Sequence, residues 1–160
     1  TTPTINPNKY MILISNVKVN NLFMVDSYRQ PTTYVKISIT NQPIVTTTFK
    51  TDIIHNSLNP NWNNENPFTF YLTNEQSNLS IRDIRFDVIY VNRLIGEELL
   101  GSCKLNLLTI DENLVHSIEL DIDCSQSSTR IIESYNKAIS NNQSKPMIKF
   151  NITLQSINQT

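Results

Sequence analysis

Few residues in this 160-residue chain have the type and spacing that chemistry requires. No Gly-x-Ser-x-Gly, His-Glu-x-x-His or Cys-x-x-Cys pattern occurs, and the two glycines, Gly96 and Gly101, are too few for most phosphate-binding loops. The two histidines, His55 and His116, lack the spacing of metal ligands, so we interpret them as surface or hydrogen-bonded strand residues. The sequence therefore predicts a non-catalytic protein.

The thiols and the charges exclude further classes of function. Cys103 and Cys124 are too few for a four-ligand zinc site, and we expect both to be free, reduced thiols. Lys and Arg total 13 and Asp and Glu total 14, so a formal net charge of −1 offers no general attraction to nucleic acid. No apolar run reaches the roughly 18 residues that cross a bilayer. We therefore expect a cytoplasmic protein that does not bind nucleic acid.

The elements that would position any site are predicted to be β-strands. Ile, Val, Thr, Tyr and Phe are plentiful, and these side chains fit a pleated, half-buried surface. Eight short apolar runs, several of them alternating, are separated by turn-rich stretches, which predicts an all-β, eight-stranded antiparallel sandwich. The runs cover residues 11–14, 34–39, 47–54, 68–72, 84–91, 103–108, 118–122 and 147–154.

One segment has a helical period, and it lies between the last two predicted strands. Behind candidate N-caps at Ser127 and Ser128, apolar residues recur at helical spacing as far as position 140. We predict one amphipathic helix there, packed on an edge of the sandwich. The length predicts a single domain over residues 10–156, with a flexible leader at 1–9 and a tail at 157–160. Because the chain does not begin with Met, we expect it to be part of a longer polypeptide.

The most specific pattern is Thr51-x6-Leu58-Asn59-Pro60-x-Trp62-Asn63, followed by Phe68-x-Phe70, Phe86-x-Val88 and Leu99-Leu100-Gly101. Upstream stand Ile12-x-Ile14, Asn21-Leu22, Asp26 and Tyr34-Val35-Lys36-Ile37. Together these residues resemble the calcium-and-lipid-binding (C2) domain family across nearly the whole chain. The resemblance implies that Trp62 is a core residue. The order of elements is similar to the family's type II, phospholipase-type topology.

The resemblance also implies where calcium would bind, and most of the ligands are missing. Family members that bind calcium use about five Asp carboxylates in the first and third loops. The corresponding positions here are Asp26, Thr32, Tyr90, Asn92 and Glu98. We expect Asp26, Asn92 and Glu98 to form at most a weak, degenerate site and the protein to need no calcium cofactor, because the hydroxyl, phenol and carboxamide leave calcium uncompensated. The alternative roles are a loop-capping carboxylate for Asp26 and a solvated charge for Glu98.

Two lipid-binding features of the family can also be located by the resemblance. Its lysine-rich stripe falls on Thr46, Thr47 and Thr48, so only Lys36 and Lys50 remain nearby and the polybasic cluster is largely lost. Apolar loop tips remain. The predicted lipid-binding residues are Phe23, Met24, Val25 and Arg29 in loop one and Arg93, Leu94 and Ile95 in loop three, with the arginines meeting anionic headgroups. The alternative is that two or three of the apolar side chains turn inward and plug the sandwich.

These observations support two hypotheses about function. In the first, the chain is a calcium-independent docking module that targets a larger intracellular protein to membrane phospholipid. In the second, it is a protein-interaction module that binds neither calcium nor lipid and uses a sheet face or edge, such as the surface at residues 46–50. A third interpretation, the targeting domain of a lipid-metabolising enzyme, places all catalytic residues outside this chain.

Overall fold

The computed structural model describes residues 8–41 and 47–157. Positions 1–7 of the predicted leader, Thr46, and positions 158–160 of the predicted tail lie outside the described residues. The strands within the described ranges are β1 (Asn8–Asn20), β2 (Thr33–Ile39), β3 (Phe49–Lys50), β4 (Phe68–Thr73), β5 (Asp83–Asn92), β6 (Gly96–Asn106), β7 (Val115–Asp121) and β8 (Met147–Ser156). The helix α1 (Thr129–Ser140) lies between β7 and β8, and three short 3₁₀ turns lie elsewhere.

The strands form two four-stranded antiparallel sheets, in the orders β4-β1-β8-β7 and β3-β2-β5-β6. The first and last strands are therefore neighbours, and Ile12 lies opposite Leu154. Phe86 of β5 and Phe150 of β8 join the two sheets, with ring centroids 4.3 Å apart. This architecture confirms the predicted eight-stranded sandwich, and the adjacency of β1 and β8 agrees with the type II order of elements.

β1 shows how the apolar pattern is kept in phase along a long strand. Ile12 and Ile14 are fully buried at even positions, whereas Val17 and Val19 are buried at odd positions. Between these pairs Asn16 has a φ of +54°, and the register with β8 shifts between Ser15 and Lys18. An extra residue in a bulge moves the following side chains by one position. The bulge therefore keeps both apolar pairs on the core side of the sheet.

The Trp62 segment is part of the core, as the resemblance implies. The Trp62 side chain is 4% exposed, and its Nε1–H donates to the carbonyl oxygen of Asp52 at 2.7 Å. The backbone N–H of Trp62 donates to the Val17 carbonyl oxygen at 2.8 Å, which ties the segment to β1. At the start of the same motif, the buried Thr51 Oγ1 accepts the N–H of Val35 at 2.8 Å. These contacts explain why the motif needs a Trp and a hydroxyl at these positions.

Three of the predicted boundaries need correction. The run at 47–54 contains only the two-residue strand β3, because Thr51 binds the Val35 N–H through its side chain where a regular ladder would use a backbone carbonyl. β6 begins at Gly96, well before the predicted 103, and residues 107–109 form a 3₁₀ turn. β1 begins at Asn8, inside the predicted leader, and continues to Asn20, six residues beyond the predicted run.

The predicted helix is confirmed as α1. Its N-cap is Ser128, whose Oγ accepts the N–H of Ile131 at 3.4 Å. Ile131 is fully buried, and the half-buried Tyr135 and Ala138 pack against the core. Over residues 8–41 and 47–157, no helix is long and apolar enough to cross a membrane. Because Ile131, Tyr135 and Ala138 contact the core, α1 packs against the sandwich, and its first turn faces the loops described next.

Candidate functional site at the loop end

One end of the sandwich carries all the site residues that the sequence predicts. Thr33 at the start of β2 pairs with Tyr90 near the end of β5, so the β1–β2 loop (21–32) and the β5–β6 turn (93–95) lie at the same end. His55 lines a cavity with both of them. The first turn of α1 reaches the same place through Arg130. We call these parts together the loop end: residues 21–32, 55–56, 90–98 and 128–130.

The three predicted apolar tips of the β1–β2 loop differ in their exposure to solvent. Phe23 is 1% exposed and meets Tyr135 of α1 edge to face, with ring centroids 5.8 Å apart. Val25 is half-buried and packs against the core. Phe23 and Val25 therefore plug the sandwich, which corrects their prediction as lipid-inserting tips. Met24, at 40% exposure, is the member of the three that faces solvent, together with Tyr28 at 95%.

The β5–β6 turn presents its two predicted apolar side chains to solvent. Leu94 is 95% exposed and Ile95 is 59% exposed. Asn92 fixes this turn, because its Oδ1 accepts the N–H of Leu94 at 2.8 Å and that of Ile95 at 3.3 Å. Gly96 closes it with a φ of +94°, in the left-handed region that favours glycine. The apolar tip therefore stands on a turn held by its own backbone hydrogen bonds.

A cavity of about 500 Å³ opens between the β1–β2 loop and the β5–β6 turn. Arg29 and Arg93 line it, and both arginines are exposed. Neither arginine makes an ion pair in the described part of the chain. Leu94 and Asp26 also belong to the lining. The loop end thus combines exposed apolar side chains with two arginines that make no ion pair within the described residues.

The two carboxylates of the predicted metal site are joined by an arginine. Arg130 of α1 places Nη1 3.5 Å from Asp26 Oδ1, and its Nη2 donates to Glu98 Oε2. Tyr90 donates its hydroxyl hydrogen to the second oxygen of Asp26, and the Arg130 guanidinium lies 5.9 Å from the Tyr90 ring centroid. Glu98 is therefore paired, and the alternative of a solvated charge is wrong.

Tyr90 remains a neutral hydrogen-bond donor over the whole physiological range. Burial and the neighbouring Asp26 carboxylate raise the pKa of Tyr90 to about 12, although the positive charge of Arg130 acts in the opposite direction. A protonated phenol donates one hydrogen bond and is a poor metal ligand. Tyr90 therefore serves as a hydrogen-bond donor to Asp26 and does not add an anionic oxygen to the site.

The residues at the five implied ligand positions do not fit calcium. The Asp26 and Glu98 carboxylates are bound to Arg130, and the Asn92 oxygen accepts the backbone of its own turn. Thr32 Oγ1 accepts the N–H of Asn56 at 3.3 Å. Because a hard dication needs six to eight free oxygen ligands, this donor set is already occupied by protein groups. Within the described residues, no group of three His, Cys, Asp or Glu side chains could hold a metal ion.

Arg130 is the residue of this site that the sequence analysis missed. It lies in the first turn of α1, where the helix macrodipole disfavours a positive charge. No acidic residue lies in that turn to compensate it. A cation at a helix N-terminus is a local conflict, and such a conflict indicates a partner outside the helix. The sequence contained this signal, but it did not indicate which carboxylates would be the partners.

The comparisons with known proteins agree with this architecture. A sequence model of the C2 domain family matches residues 11–122. No curated protein matches the chain in sequence. The fold is similar to a C2 domain of plant extended synaptotagmin 1, with a TM-score of 0.69 and 18% identity, over 96% of this chain and 99% of that one.

Two further similar structures belong to longer polypeptides. Human GIVD cytosolic phospholipase A2 has a TM-score of 0.69 and 12% identity over 98% of this chain, which corresponds to 17% of the phospholipase chain. The calcium-bound pair of C2 domains of extended synaptotagmin 2 gives a TM-score of 0.62 and 17% identity, over 97% of this chain and 45% of that one. At these identities the likeness concerns the fold, whereas the family match covers more than half of the sequence. The chain therefore belongs to the C2 domain family.

Proposed function

We propose that this C2 domain docks a larger cytoplasmic protein onto anionic membranes through its loop end, without calcium and without catalysis of its own. C2 domains form a family of membrane- and lipid-binding modules that are generally non-catalytic. The observation that carries the proposal is the 95% exposure of Leu94 at the tip of the β5–β6 turn. An exposed leucine next to exposed Ile95, at the same end of the sandwich as exposed Met24, is costly in water and favourable in the interfacial region of a bilayer.

The free energy available from these tips is modest. Full burial of one such side chain contributes about 1.5–3 kcal/mol. With the exposed fractions of Leu94, Ile95 and Met24, insertion supplies about 4 kcal/mol before the costs of association. Arg29 and Arg93 each add about 1 kcal/mol next to an anionic surface. The proposal is therefore for weak, reversible docking that gains avidity from other parts of a longer polypeptide.

Vesicle co-sedimentation tests the proposal directly. The purified chain is mixed with vesicles of phosphatidylcholine alone or with one third phosphatidylserine, each in millimolar calcium and in chelator. We expect binding that favours the anionic vesicles and is equal with and without calcium. Binding that requires calcium would contradict the proposal.

The role of the two arginines can be tested separately from that of the apolar tips. The double substitution Arg29→Gln and Arg93→Gln removes two charges, so binding to the anionic vesicles should fall about 30-fold, while binding to neutral vesicles should change little. Lys104→Gln is the matched control, because Lys104 is an exposed cation on β6 outside the loop end. A loss of about fivefold in Lys104→Gln, which is the effect of one charge, would show that only net charge matters.

The second candidate function is protein interaction through the β3 edge. β3 has only two residues, and the preceding Thr47 and Thr48 are exposed. β3 is nevertheless an edge strand, so its outer backbone groups can pair with a strand added by a partner. Under this candidate, the chain binds no vesicles in any of the four conditions, and substitutions at Leu94 have no effect on its interactions.

A further inference from the structure

The guanidinium of Arg130 lies between two carboxylates that come from different elements of the loop end. Asp26 belongs to the β1–β2 loop and Glu98 to β6. We propose that Arg130 is a built-in cation that takes the place of a bound metal ion at this carboxylate pair and holds the loop end together without metal. Its consequence for membrane docking rests on the proposed function, whereas the role of Arg130 in the loop end does not.

The contacts of Arg130 match those of a bridging cation. Each of its two terminal nitrogens contacts one carboxylate, Nη1 at 3.5 Å from Asp26 and Nη2 in a hydrogen bond to Glu98. The Glu98 side chain is 16% exposed and the Asp26 side chain 32%, so both carboxylates are partly removed from water. A planar, weakly hydrated guanidinium can serve two carboxylates at once in such a place. One side chain thus fixes the distance between the β1–β2 loop and β6.

The start of α1 is built so that Arg130 cannot easily move away. Ser127 Oγ donates to the Leu100 carbonyl oxygen at 3.0 Å, which binds the residue before the N-cap to β6. Ser128 caps the helix and contacts Glu98 Oε1 at 3.5 Å. Ile131, the next residue after Arg130, is fully buried in the core. The backbone on both sides of Arg130 is therefore anchored, and the guanidinium is presented to the carboxylates by a rigid element.

The position of Arg130 in its helix costs stability that the carboxylates must offset. A cation in the first helical turn is opposed by the macrodipole, so Arg130 is not there to stabilise α1. Conversely, Asp26 and Glu98 without Arg130 would be two like charges sharing a half-buried region. Removing Arg130 should therefore create an affinity for an external cation that the wild-type protein lacks.

The test measures the melting temperature of four proteins in chelator, in millimolar magnesium and in millimolar calcium. They are the wild type, Arg130→Gln, the triple variant Arg130→Gln with Asp26→Asn and Glu98→Gln, and Arg85→Gln. Arg85 is a matched control, because it pairs with Asp87 at 2.9 Å and the pair has the same side-chain exposures, 36% and 16%, as Arg130 and Glu98. Only Arg130→Gln leaves two facing carboxylates without a cation.

We expect Arg130→Gln to melt about 2–4 °C below the wild type in chelator. Calcium should recover part of this loss in Arg130→Gln and leave the other three proteins unchanged. The triple variant should melt at least halfway back towards the wild type in chelator, because the repulsion is removed together with the cation. A role in packing alone would not produce this recovery.

Several results would overturn the proposal. One is a loss of stability in Arg130→Gln that neither calcium nor the triple substitution reverses, which would make Arg130 an ordinary structural contact. Another is an Arg130→Gln protein as stable as the wild type in chelator. A calcium response in the wild type or in Arg85→Gln as large as that of Arg130→Gln would also overturn it. Recovery in the triple variant without a calcium response would contradict the replacement of a metal ion.

Vesicle binding by the same proteins separates this inference from the proposed function. If both hold, the wild type binds anionic vesicles equally in calcium and chelator, whereas Arg130→Gln binds more strongly in calcium. If the wild type binds no vesicles, the proposed function fails, and the melting temperatures still decide the role of Arg130. If the wild type binds and Arg130→Gln binds equally well in chelator, the loop end does not need Arg130 for docking.

Discussion

The substitution Leu94→Asn isolates the contribution of the apolar tip to membrane binding. Leu94 is 95% exposed, so its side chain makes almost no contact within the domain. Its backbone N–H donates to Asn92 Oδ1, and the substitution leaves this hydrogen bond unchanged. We therefore expect the melting temperature of Leu94→Asn to equal that of the wild type. Asn carries no charge, so any change in binding reports apolar contact and not repulsion from anionic lipid.

The expected loss of binding follows from the exposed area. Burial of a whole leucine side chain contributes about 2 kcal/mol, and almost all of this side chain is available for burial in lipid. Since every 1.4 kcal/mol corresponds to a factor of ten, the partition coefficient of Leu94→Asn should be about 30-fold below that of the wild type. The loss should be similar on neutral and anionic vesicles, because no charge is changed.

The assay is a vesicle titration in chelator with quantification of the sedimented fraction. Leu108→Asn is the matched control, because Leu108 is 65% exposed but follows β6 at the other end of the sandwich. The 11 residues of β6 place roughly 35 Å between Leu108 and Leu94. Leu108→Asn should bind like the wild type. The reasoning is refuted if Leu94→Asn binds within twofold of the wild type, or if both substitutions weaken binding equally.

Three further predictions concern stability. Gly101→Ala should cost about 1–3 kcal/mol in urea unfolding, because the new Cβ would lie 2.4 Å from Ile122 Cγ2; an unchanged midpoint would contradict this. Thr51→Val should cost about 1–3 kcal/mol, because the buried Val35 N–H loses its acceptor. Burial raises the pKa of Tyr34 from 10.0 to about 12, so the folded protein keeps a proton that the unfolded chain loses. The free energy of unfolding should therefore fall between these pH values, less steeply in Tyr34→Phe.

Most of the fold could be predicted because its signals are local. Apolar and β-branched runs gave five of the eight strands to within three residues at each end, since the side-chain period of a strand is independent of its partners. The Trp62 motif indicated the family. Burial of an indole requires an acceptor for its N–H and a turn that brings the backbone around the ring, and both requirements appear in the local sequence. The helical period after Ser128 gave α1.

The boundaries that failed depend on partners rather than on period. The run at 47–54 is rich in β-branched residues, but Thr51 binds Val35 through its side chain and only Phe49–Lys50 forms a strand. The segment at the start of β6 is charged and glycine-containing, and it does not resemble a strand in isolation. This segment pairs with β5 because the turn that Asn92 and Gly96 fix brings the two strands together.

The candidate site could also be predicted only in part. Its apolar and basic tips were visible in the sequence, and Met24, Leu94 and Ile95 are indeed exposed. The sequence could not decide that Phe23 turns inward, because its partner Tyr135 lies on a helix that follows more than a hundred residues later. The ion pair between Asp26 and Arg130 could not be predicted for the same reason, because these two residues are also far apart in the sequence.

The sequence by itself determined the sandwich and its family, because composition, period and motif are properties of neighbouring residues. Only the tertiary structure decided which apolar residues reach solvent and which cation meets Asp26 and Glu98. The physical reason is that burial and ion pairing depend on distances between elements, and those distances exist only after β1, β6 and α1 have packed.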